Sequence, residues 1–243
     1  LPTEAIDGLT LAAVPPRESP GDVMVTHQVT EFESLSQGAR VGTGSTRRRA
    51  QLLHVRPDLQ ILDIRGNVDT RLRLLDEGEY DAVVLAEAGL KRLGLADRIT
   101  QVLSKTWMLP AIGQGALGLE TRADDVRTRG TVERLDHAET HAAVTAERSL
   151  LSALRGGCLA PVGAWGRVQE GQLHFDAVVL DLTVPEGVGA RERVAVLLAD
   201  LGNHGRERPR RARRGRRSGH LAGRGGRRRD DRLLRERRRA RAR

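Results

Sequence analysis

The sequence predicts an α/β fold built on a parallel sheet. Between residues 39 and 94, short apolar runs rich in Val, Ile and Leu alternate with segments of helical character. Glycine or a capping residue stands at several of the boundaries, as at Ser45 and Gly78. Alternation of this kind is typical of strands joined by crossover helices, which places the strands parallel to one another in one sheet.

The individual elements follow in chain order. GLTLAAV (8–14) predicts a strand, and Pro15-Pro16 with RESPGD marks a break. ARVGTG (39–44) predicts a strand entering a glycine turn, and Ser45 is placed to cap a helix over 45–55. The helix that starts at His137 brings Val144, Leu151 and Leu154 to roughly one face. The other predicted elements are strands at 59–64 and 80–86, helices at 68–78 and from 87, a glycine-rich link with a strand within 108–122, a helix within 124–135, paired strands at 162–168 and 172–182, and a helix from 191 to 201.

The net charge of +9 is unevenly distributed. Nineteen arginines and four acidic residues lie between His204 and the C-terminus, a local charge of +15, so the preceding part of the chain carries −6. We expect residues 203–243 to be a disordered tail, because this segment has almost no apolar periodicity with which to bury a core. No apolar run reaches the ~18 residues of a membrane span, and no signal-peptide pattern is present. These features predict a cytoplasmic protein that does not associate with membranes.

Arginines recur where the predicted strands end. Ligands of open α/β sheets bind in the crevice outside these strand ends. Helix N-termini add N–H donors for an anion, as at Thr43, Gly44 and Ser45. Because guanidinium groups bind carboxylates bidentately, several in one crevice predict a ligand with multiple carboxylates or phosphates. The periodicity is equally compatible with arginines on solvated helix faces. The arginines concerned are Arg47, Arg48, Arg65, Arg71 and Arg92.

Cys158 is the single cysteine of the chain and stands in the segment LRGGCLAP. A free cysteine is commonly a small buried apolar residue. Here Gly156-Gly157 ends a predicted helix, so the thiol falls on a loop that can expose it. No histidine stands nearby as a base, which leaves a protease-like Cys/His pair unsupported. An attachment point for a ligand fits this position better, and the scattered histidines predict no metal site.

Four segments together resemble consecutive signature blocks of the porphobilinogen deaminase family. They are VGTGSTRRRAQL, RPDLQILDIRGNVDTRLRLLDEGEYDAVVLAEAGLKRLGL, LPAIGQGALGLETR and ERSLLSALRGGCLAPVGAW. They occur in order within residues 1 to about 185, and they are long and ungapped.

The resemblance implies a transferase of tetrapyrrole (haem) biosynthesis. Such enzymes join four porphobilinogen molecules head to tail with loss of ammonia, giving hydroxymethylbilane. They build on a dipyrromethane cofactor attached through a thioether to a loop cysteine, which matches Cys158. Carboxylates of the cofactor, of porphobilinogen and of the growing linear pyrrole chain would bind the five arginines, with Thr43, Gly44, Ser45 and Asn67 in the same site. A monomer without specific nucleic-acid partners is expected.

The family fold implies three domains, of which the first two resemble periplasmic binding proteins and the third is a small α+β domain. On that pattern, 1–15 and 112–133 are a remnant of domain 1, which is largely missing. Residues 20–110 form domain 2 with an arginine-lined cleft, and 137–202 form domain 3 with the cysteine loop. In the family, a Lys-Asp pair with the acid/base aspartate directly precedes the segment LPTE. We therefore expect the chain as given to be an inactive fragment. Because the family pattern and the apolar periodicity are both lost near residue 202, we expect the tail to be an out-of-frame or mispredicted terminus.

Two other functions are compatible with parts of the pattern. A non-catalytic anion-binding module needs only the arginine crevice. The arginine-rich tail is also compatible with nonspecific nucleic-acid binding through phosphates, although it lacks interleaved aromatic residues for stacking. A dipyrromethane mass increment on Cys158 separates the enzyme from the anion-binding module.

Overall fold

The computed structural model describes residues 6–154, 161–180 and 189–197. The described elements form a five-stranded sheet, a two-stranded ribbon and a three-stranded sheet. The elements in chain order are β1 (Leu9–Ala13), β2 (Asp22–Thr26), β3 (Arg40–Gly42), α1 (Thr46–Val55), β4 (Gln60–Leu62), α2 (Val68–Asp76), β5 (Ala82–Ala86), α3 (Glu87–Arg92), β6 (Gln101–Val102), β7 (Leu119–Arg122), α4 (Val126–Val132), α5 (Ala138–Ala153), β8 (Val162–Gln169), β9 (Gln172–Leu180) and β10 (Gly189–Leu197).

The five-stranded sheet has the strand order β4-β3-β5-β2-β6 and two buried faces. Successive residues of β2 and β5 point to opposite faces, as the period of two in a strand requires. Met24 and Val84 thus join the apolar cluster beneath α1, whereas Val23 and Val83 join the cluster beneath α2 and α3. Burial on both faces explains why these strands read as continuous apolar runs.

The α/β class is confirmed, and the predicted parallel sheet is correct for part of this sheet only. Strand β3 pairs in parallel with both β4 and β5. Strand β2 pairs antiparallel with β5 and with β6. Neither β2 nor β6 was predicted, because DVMVT is a five-residue run next to a Pro-Gly break and β6 has two residues.

Strands β1 and β7 form an antiparallel ribbon that joins distant parts of the chain. Leu9 lies opposite Arg122 and Leu11 opposite Glu120. This pairing brings part of the segment 112–133 to the segment 1–15, the two pieces that the sequence assigned to one domain. The proposed domain boundaries themselves stay a prediction.

The third sheet has the order β10-β9-β8, with antiparallel neighbours. The helix predicted over 191–201 is wrong in its described part: β10 pairs along its whole length with β9, from Gly189 opposite Leu180 to Leu197 opposite Gln172. The pairing partner, which is remote in sequence from the prediction window, overrides the weak helical pattern of this segment.

The predicted apolar face of α5 is partly wrong. Val144 is fully buried, but Leu154 is 45% exposed. The buried positions are Thr140, Ala143, Val144 and Glu147, which share one helix face. Small residues on this face let β8 approach closely, because a Cβ at Gly166 would lie 2.8 Å from the Ala143 carbonyl oxygen. The buried face of α5 therefore includes a glutamate, Glu147.

Asp81 ties the start of β5 to β3. Its carboxylate accepts hydrogen bonds from the backbone N–H of Arg40 (2.7 Å), from the Arg40 guanidinium (2.9 and 3.2 Å) and from Gln28 Nε2 (3.1 Å). The hydrogen bonds from the Arg40 side chain and backbone lower the pKa of Asp81 to about 2.

Asp81→Asn should therefore make the free energy of unfolding less dependent on pH between about pH 2 and pH 4. A carboxyl group with a pKa lowered on folding stabilises the protein above its unfolded pKa, and this contribution disappears as the pH falls from about 4 to about 2. We expect a loss of about 1–2 kcal/mol at pH 7, discounted for the partial exposure of Arg40. Urea unfolding between pH 2 and 7 measures this, with exposed Asp97→Asn as control. Parallel stability curves for wild type and Asp81→Asn would contradict it.

None of the helices in the described part of the chain combines the length and the apolar composition of a membrane span.

Candidate functional site

The turn from β3 into α1 forms one wall of the candidate site. Ser45 caps α1, as predicted: its Oγ accepts a hydrogen bond from the backbone N–H of Arg48 at 3.4 Å. The Oγ1 of buried Thr43 accepts one from the N–H of Ser45 at 3.2 Å. A Cβ at Gly44 would lie 2.9 Å from the Ile64 carbonyl oxygen, so glycine lets this turn approach the segment after β4.

Arg47 and Arg48 are both buried and share one carboxylate, that of Asp22. Arg47 NH1 donates to Asp22 Oδ2 at 2.7 Å and to the Leu109 carbonyl oxygen at 2.5 Å. The Nε and NH2 of Arg48 lie 2.9 and 2.8 Å from Asp22 Oδ1, and its NH1 donates to the Val84 carbonyl oxygen at 3.1 Å. Two guanidinium groups against one carboxylate leave a net charge of +1 in the interior.

This charge balance determines the ionisation of Asp22 and affects that of Arg47. Burial opposes the ionisation of Asp22, but the charges of Arg48 and Arg47 and the hydrogen bonds from Arg47 and Gln114 outweigh it and lower its pKa. Burial lowers the pKa of Arg47, as does the charge of Arg48, while Asp22 opposes the change. An arginine side chain starts from so high a pKa that it stays protonated. The excess positive charge therefore persists at neutral pH.

One donor of this cluster has no partner. Arg47 Nε is buried, and no hydrogen-bond acceptor for it lies within the described residues. Within the described part of the chain, Arg47 NH2 reaches only Gln114 Oε1, at 3.5 Å. A buried unpaired N–H costs free energy, and an anionic ligand that accepted from it would remove this cost.

Arg65, Asn67 and Arg71 lie around the turn into α2. Arg65 is exposed and pairs with Asp63 at 2.8 Å. The Asn67 side chain is occupied as the cap of α2, since its Oδ1 accepts from the Thr70 N–H at 2.9 Å. Arg71 Nε donates to the Gly66 carbonyl oxygen at 2.9 Å.

The charge of Arg48, which follows the turn into α1, acts on Arg71, which follows the turn into α2. Burial lowers the pKa of Arg71, and the positive charges of Arg48 and Arg65 lower it further, against the opposing charge of Asp63. The positive charges of two other predicted arginines therefore act on Arg71. An anion near Arg71 would offset this repulsion.

Arg92 and Cys158 are the predicted site residues that the structure does not join to this group. Arg92 is exposed in the last turn of α3, and no contact among the described residues links it to the other four arginines. Cys158 lies outside the described residues, between the end of α5 and the start of β8. Their roles stay predictions.

Four residues of the surrounding network were not predicted: Arg17, Asp22, Gln114 and Glu147. Gln114 Nε2 donates to the carbonyl oxygens of Pro20 (2.6 Å) and Gly21 (3.1 Å) and to Asp22 Oδ1 (2.9 Å). Arg17 donates to the Gln114 carbonyl oxygen at 2.8 Å and forms a two-point ion pair with Glu147. The one available sequence signal was the position of Gln114 between two glycines. These partners lie up to 130 residues apart, so spacing could not reveal them.

The fold and site together define a class: an α/β protein with a buried, net-positive arginine cluster suited to a ligand bearing several carboxylates. Comparison with known families gives the more particular result. Residues 1–130 match the family model "porphobilinogen deaminase, dipyromethane cofactor binding domain", and residues 141–194 match the porphobilinogen deaminase C-terminal domain. The chain belongs to the porphobilinogen deaminase family. The resemblance drawn from the four segments is thereby confirmed, and the predicted cofactor is that of the first matched domain.

Individual relatives agree. The porphobilinogen deaminase of Desulforudis audaxviator is 54% identical over 192 residues, which is 79% of this chain and 62% of that protein. The one from Trichlorobacter lovleyi is 46% identical over 207 residues, 85% of this chain and 65% of that protein. The chain thus spans less than two thirds of the length of these relatives.

Solved structures give looser likenesses. A methionine-binding lipoprotein from Bacillus subtilis has a TM-score of 0.38 and 12% identity, covering 53% of this chain and 61% of that one. A nutrient binding protein from Burkholderia cenocepacia, solved with methionine, has a TM-score of 0.36 and 14% identity over 61% of this chain and 67% of that one. At these scores the likenesses have no bearing on function.

Proposed function

We propose that this chain binds the carboxylates of a dipyrromethane primer and of the growing pyrrole chain during porphobilinogen deamination. In that reaction four porphobilinogen molecules condense stepwise to hydroxymethylbilane. Each addition forms a carbon–carbon bond and releases one ammonia. Cys158 is the proposed attachment point, and dipyrromethane, when bound, supplies the primer to which pyrrole units are added.

The observation that carries this proposal is the net charge of the cluster formed by Asp22, Arg47 and Arg48. Each pyrrole unit carries an acetate and a propionate, so each addition brings two negative charges into the crevice. A buried site with a charge of +1 and an unpaired Arg47 Nε suits such a ligand. The positive charges of Arg48 and Arg65 act on Arg71, so these three arginines could bind further carboxylates of the same ligand.

The residues present fit the cofactor by the chemistry of their donors. Guanidinium groups bind carboxylates through two parallel N–H donors at fixed spacing. Arg47 and Arg48 would hold the carboxylates nearest to the buried end. The capped turn at Ser45 presents the N-terminus of α1, whose dipole favours a negative charge.

Intact-mass spectrometry of the purified chain tests this proposal. We expect a mass increment of one dipyrromethane on the wild-type chain and none on Cys158→Ser. Arg48→Met should reduce the fraction of chains that carry the increment at least tenfold. It removes a guanidinium that pairs with Asp22 and whose positive charge adds to that of Arg71. Arg49→Met is the matched control: Arg49 is the next residue along the helix, is exposed, and donates to the Ile61 carbonyl oxygen at 3.1 Å.

Two outcomes would contradict the proposal. One is a wild-type chain that never carries the increment even when it is expressed with ample porphobilinogen. The other is an increment that survives in Cys158→Ser. A chain that binds carboxylates without the increment would instead be an anion-binding module.

The proposal includes a monomeric protein that acts in the cytoplasm and makes no specific contact with nucleic acid. A single cysteine, which cannot form an internal disulfide, is compatible with a reducing compartment. Light scattering of the purified chain at several concentrations tests the monomer.

A further inference from the structure

We propose that Asp22, itself oriented by Gln114, is a positioning residue that sets the orientation of the Arg47 and Arg48 guanidinium groups before a carboxylate ligand binds. This inference rests on the function proposed above and concerns residues to which the family match assigns no role.

Asp22 is the first residue of β2 and is completely buried. Its two carboxylate oxygens are divided between the two arginines. Oδ2 accepts from Arg47 NH1 at 2.7 Å, and Oδ1 faces Nε and NH2 of Arg48 at 2.9 and 2.8 Å. The orientation of this one carboxylate plane therefore determines the orientation of both guanidinium planes.

Backbone carbonyl oxygens complete the positioning. Arg47 NH1 is held between Asp22 and the carbonyl oxygen of Leu109, and Arg48 NH1 is held by that of Val84. With NH1 of Arg47 fixed in this way, its Nε has no hydrogen-bond partner among the described residues. A ligand carboxylate thus meets an arginine whose orientation was determined before binding.

Gln114 holds the carboxylate in this orientation. Its amide nitrogen donates to Asp22 Oδ1 at 2.9 Å while it is anchored on the carbonyl oxygens of Pro20 and Gly21. The flanking glycines have φ of 68° (Gly113) and 79° (Gly115), values that give the turn a shape other residues rarely adopt. A glutamate in place of Gln114 would oppose three acceptors with further acceptors, so the amide is specifically suited here.

A neutralising role and a positioning role for Asp22 predict opposite results. If Asp22 served only to balance charge, Asp22→Asn would raise the local charge from +1 to +2 and strengthen the binding of a carboxylate ligand. If Asp22 positions the arginines, the same change weakens binding, because the asparagine amide keeps one acceptor oxygen but places its NH2 group against one of the two guanidinium groups and turns that arginine away.

The test measures porphobilinogen binding by isothermal titration in a Cys158→Ser background, so that no primer occupies the crevice. We expect Asp22→Asn to raise the dissociation constant at least tenfold. Gln114→Met keeps the side-chain length and both ion pairs, and it should raise the constant about threefold to tenfold. The matched controls are Asp176→Asn, which removes a buried carboxylate paired with Arg167, and Gln28→Met, which removes an exposed amide. Both should bind as the parent does.

The outcomes are distinguishable. Binding by Asp22→Asn that equals or exceeds that of the parent overturns the positioning role while the proposed function stands. If Asp22→Asn does not fold, as judged by circular dichroism, Gln114→Met decides, and unchanged binding there overturns the proposal. A parent chain that does not bind porphobilinogen contradicts the proposed function and the positioning role together.

Discussion

Glu147→Gln is expected to lower the free energy of unfolding by about 3–5 kcal/mol, the cost of removing one partner from a buried ion pair. The Glu147 side chain is fully buried in α5 and accepts four hydrogen bonds. Arg17 donates to both of its oxygens, at 2.6 and 3.1 Å, and the backbone N–H groups of Gly113 and Gly166 donate at 2.7 and 2.8 Å. Glutamine would leave the Arg17 charge uncompensated and direct its own N–H groups at donors.

Urea unfolding followed by circular dichroism measures this loss. Glu133→Gln is the control, because Glu133 is also a helix-region glutamate paired with an arginine, Arg129, at 3.3 Å, but its side chain is 54% exposed. Exposed pairs contribute little, so the control should change stability by no more than about 0.5 kcal/mol. A loss below about 1 kcal/mol for Glu147→Gln would show that the hydrogen bonds from Arg17, Gly113 and Gly166 to Glu147 contribute little to stability.

Gly115→Ala is expected to cost about 2–5 kcal/mol. Gly115 has a φ of 79°, and a left-handed backbone costs a residue with a Cβ about 1–2 kcal/mol. In addition, the new Cβ would lie 2.5 Å from the Glu18 carbonyl oxygen and 2.8 Å from that of Ser19. These neighbours are backbone atoms, so relief requires a shift of the chain, which adds an overpacking cost of about 1–3 kcal/mol.

Gly130→Ala is a control with the opposite sign. Gly130 lies within α4, and a Cβ there would meet no atom within 4 Å. Because alanine favours a helix over glycine, Gly130→Ala should raise the free energy of unfolding by about 0.5–1 kcal/mol. Thermal unfolding compares the two variants directly. A Gly115→Ala variant with the same Tm as the wild type would contradict the close contact.

Glu147 and Gly115, the positions of the two variants, both contribute to the hydrogen bonds of the turn around Gln114. The Glu147 carboxylate accepts a hydrogen bond from the N–H of Gly113, and the carbonyl oxygen of Gly115 accepts one from the N–H of Glu18 at 3.0 Å. Gln114 stands between them and contacts Asp22. Loss of either contact should therefore also disturb the carboxylate that faces Arg47 and Arg48. Porphobilinogen titration of Gly115→Ala, in conditions where it stays folded, addresses this.

Local patterns were enough to predict most elements of the fold. Alternating apolar runs and helical segments located β3, α1, β4, α2 and β5 in their correct order, and Ser45 and Gly78 stood at helix ends as expected. The same patterns did not predict the strands whose conformation depends on their pairing partners in the folded protein. Strand β2 is apolar on both faces and too short to show a period, and β10 takes its conformation from nine residues of pairing with β9.

The site divides in the same way. The positions of Arg47, Arg48, Arg65, Arg71 and Arg92 after strand ends were sufficient to propose a cationic crevice, because the ends of parallel strands meet at one edge of a sheet, and that site stays a prediction. Their partners were not predictable. Asp22 is 25 residues before Arg47, and Glu147 is 130 residues after Arg17. No spacing rule reaches across such distances.

The sequence alone thus determined the class of fold and the family and predicted a ligand with several carboxylates, since each depends on residue types at short spacing. The tertiary structure decided that Arg47 and Arg48 are buried against a single carboxylate, that Gln114 orients this carboxylate, and that Glu147 joins α5 to the segments around it. The physical reason is that charge balance in an interior depends on which groups meet after folding. An arginine in the sequence has the same charge wherever it lies, but only its neighbours in space determine how much of that charge remains for a ligand.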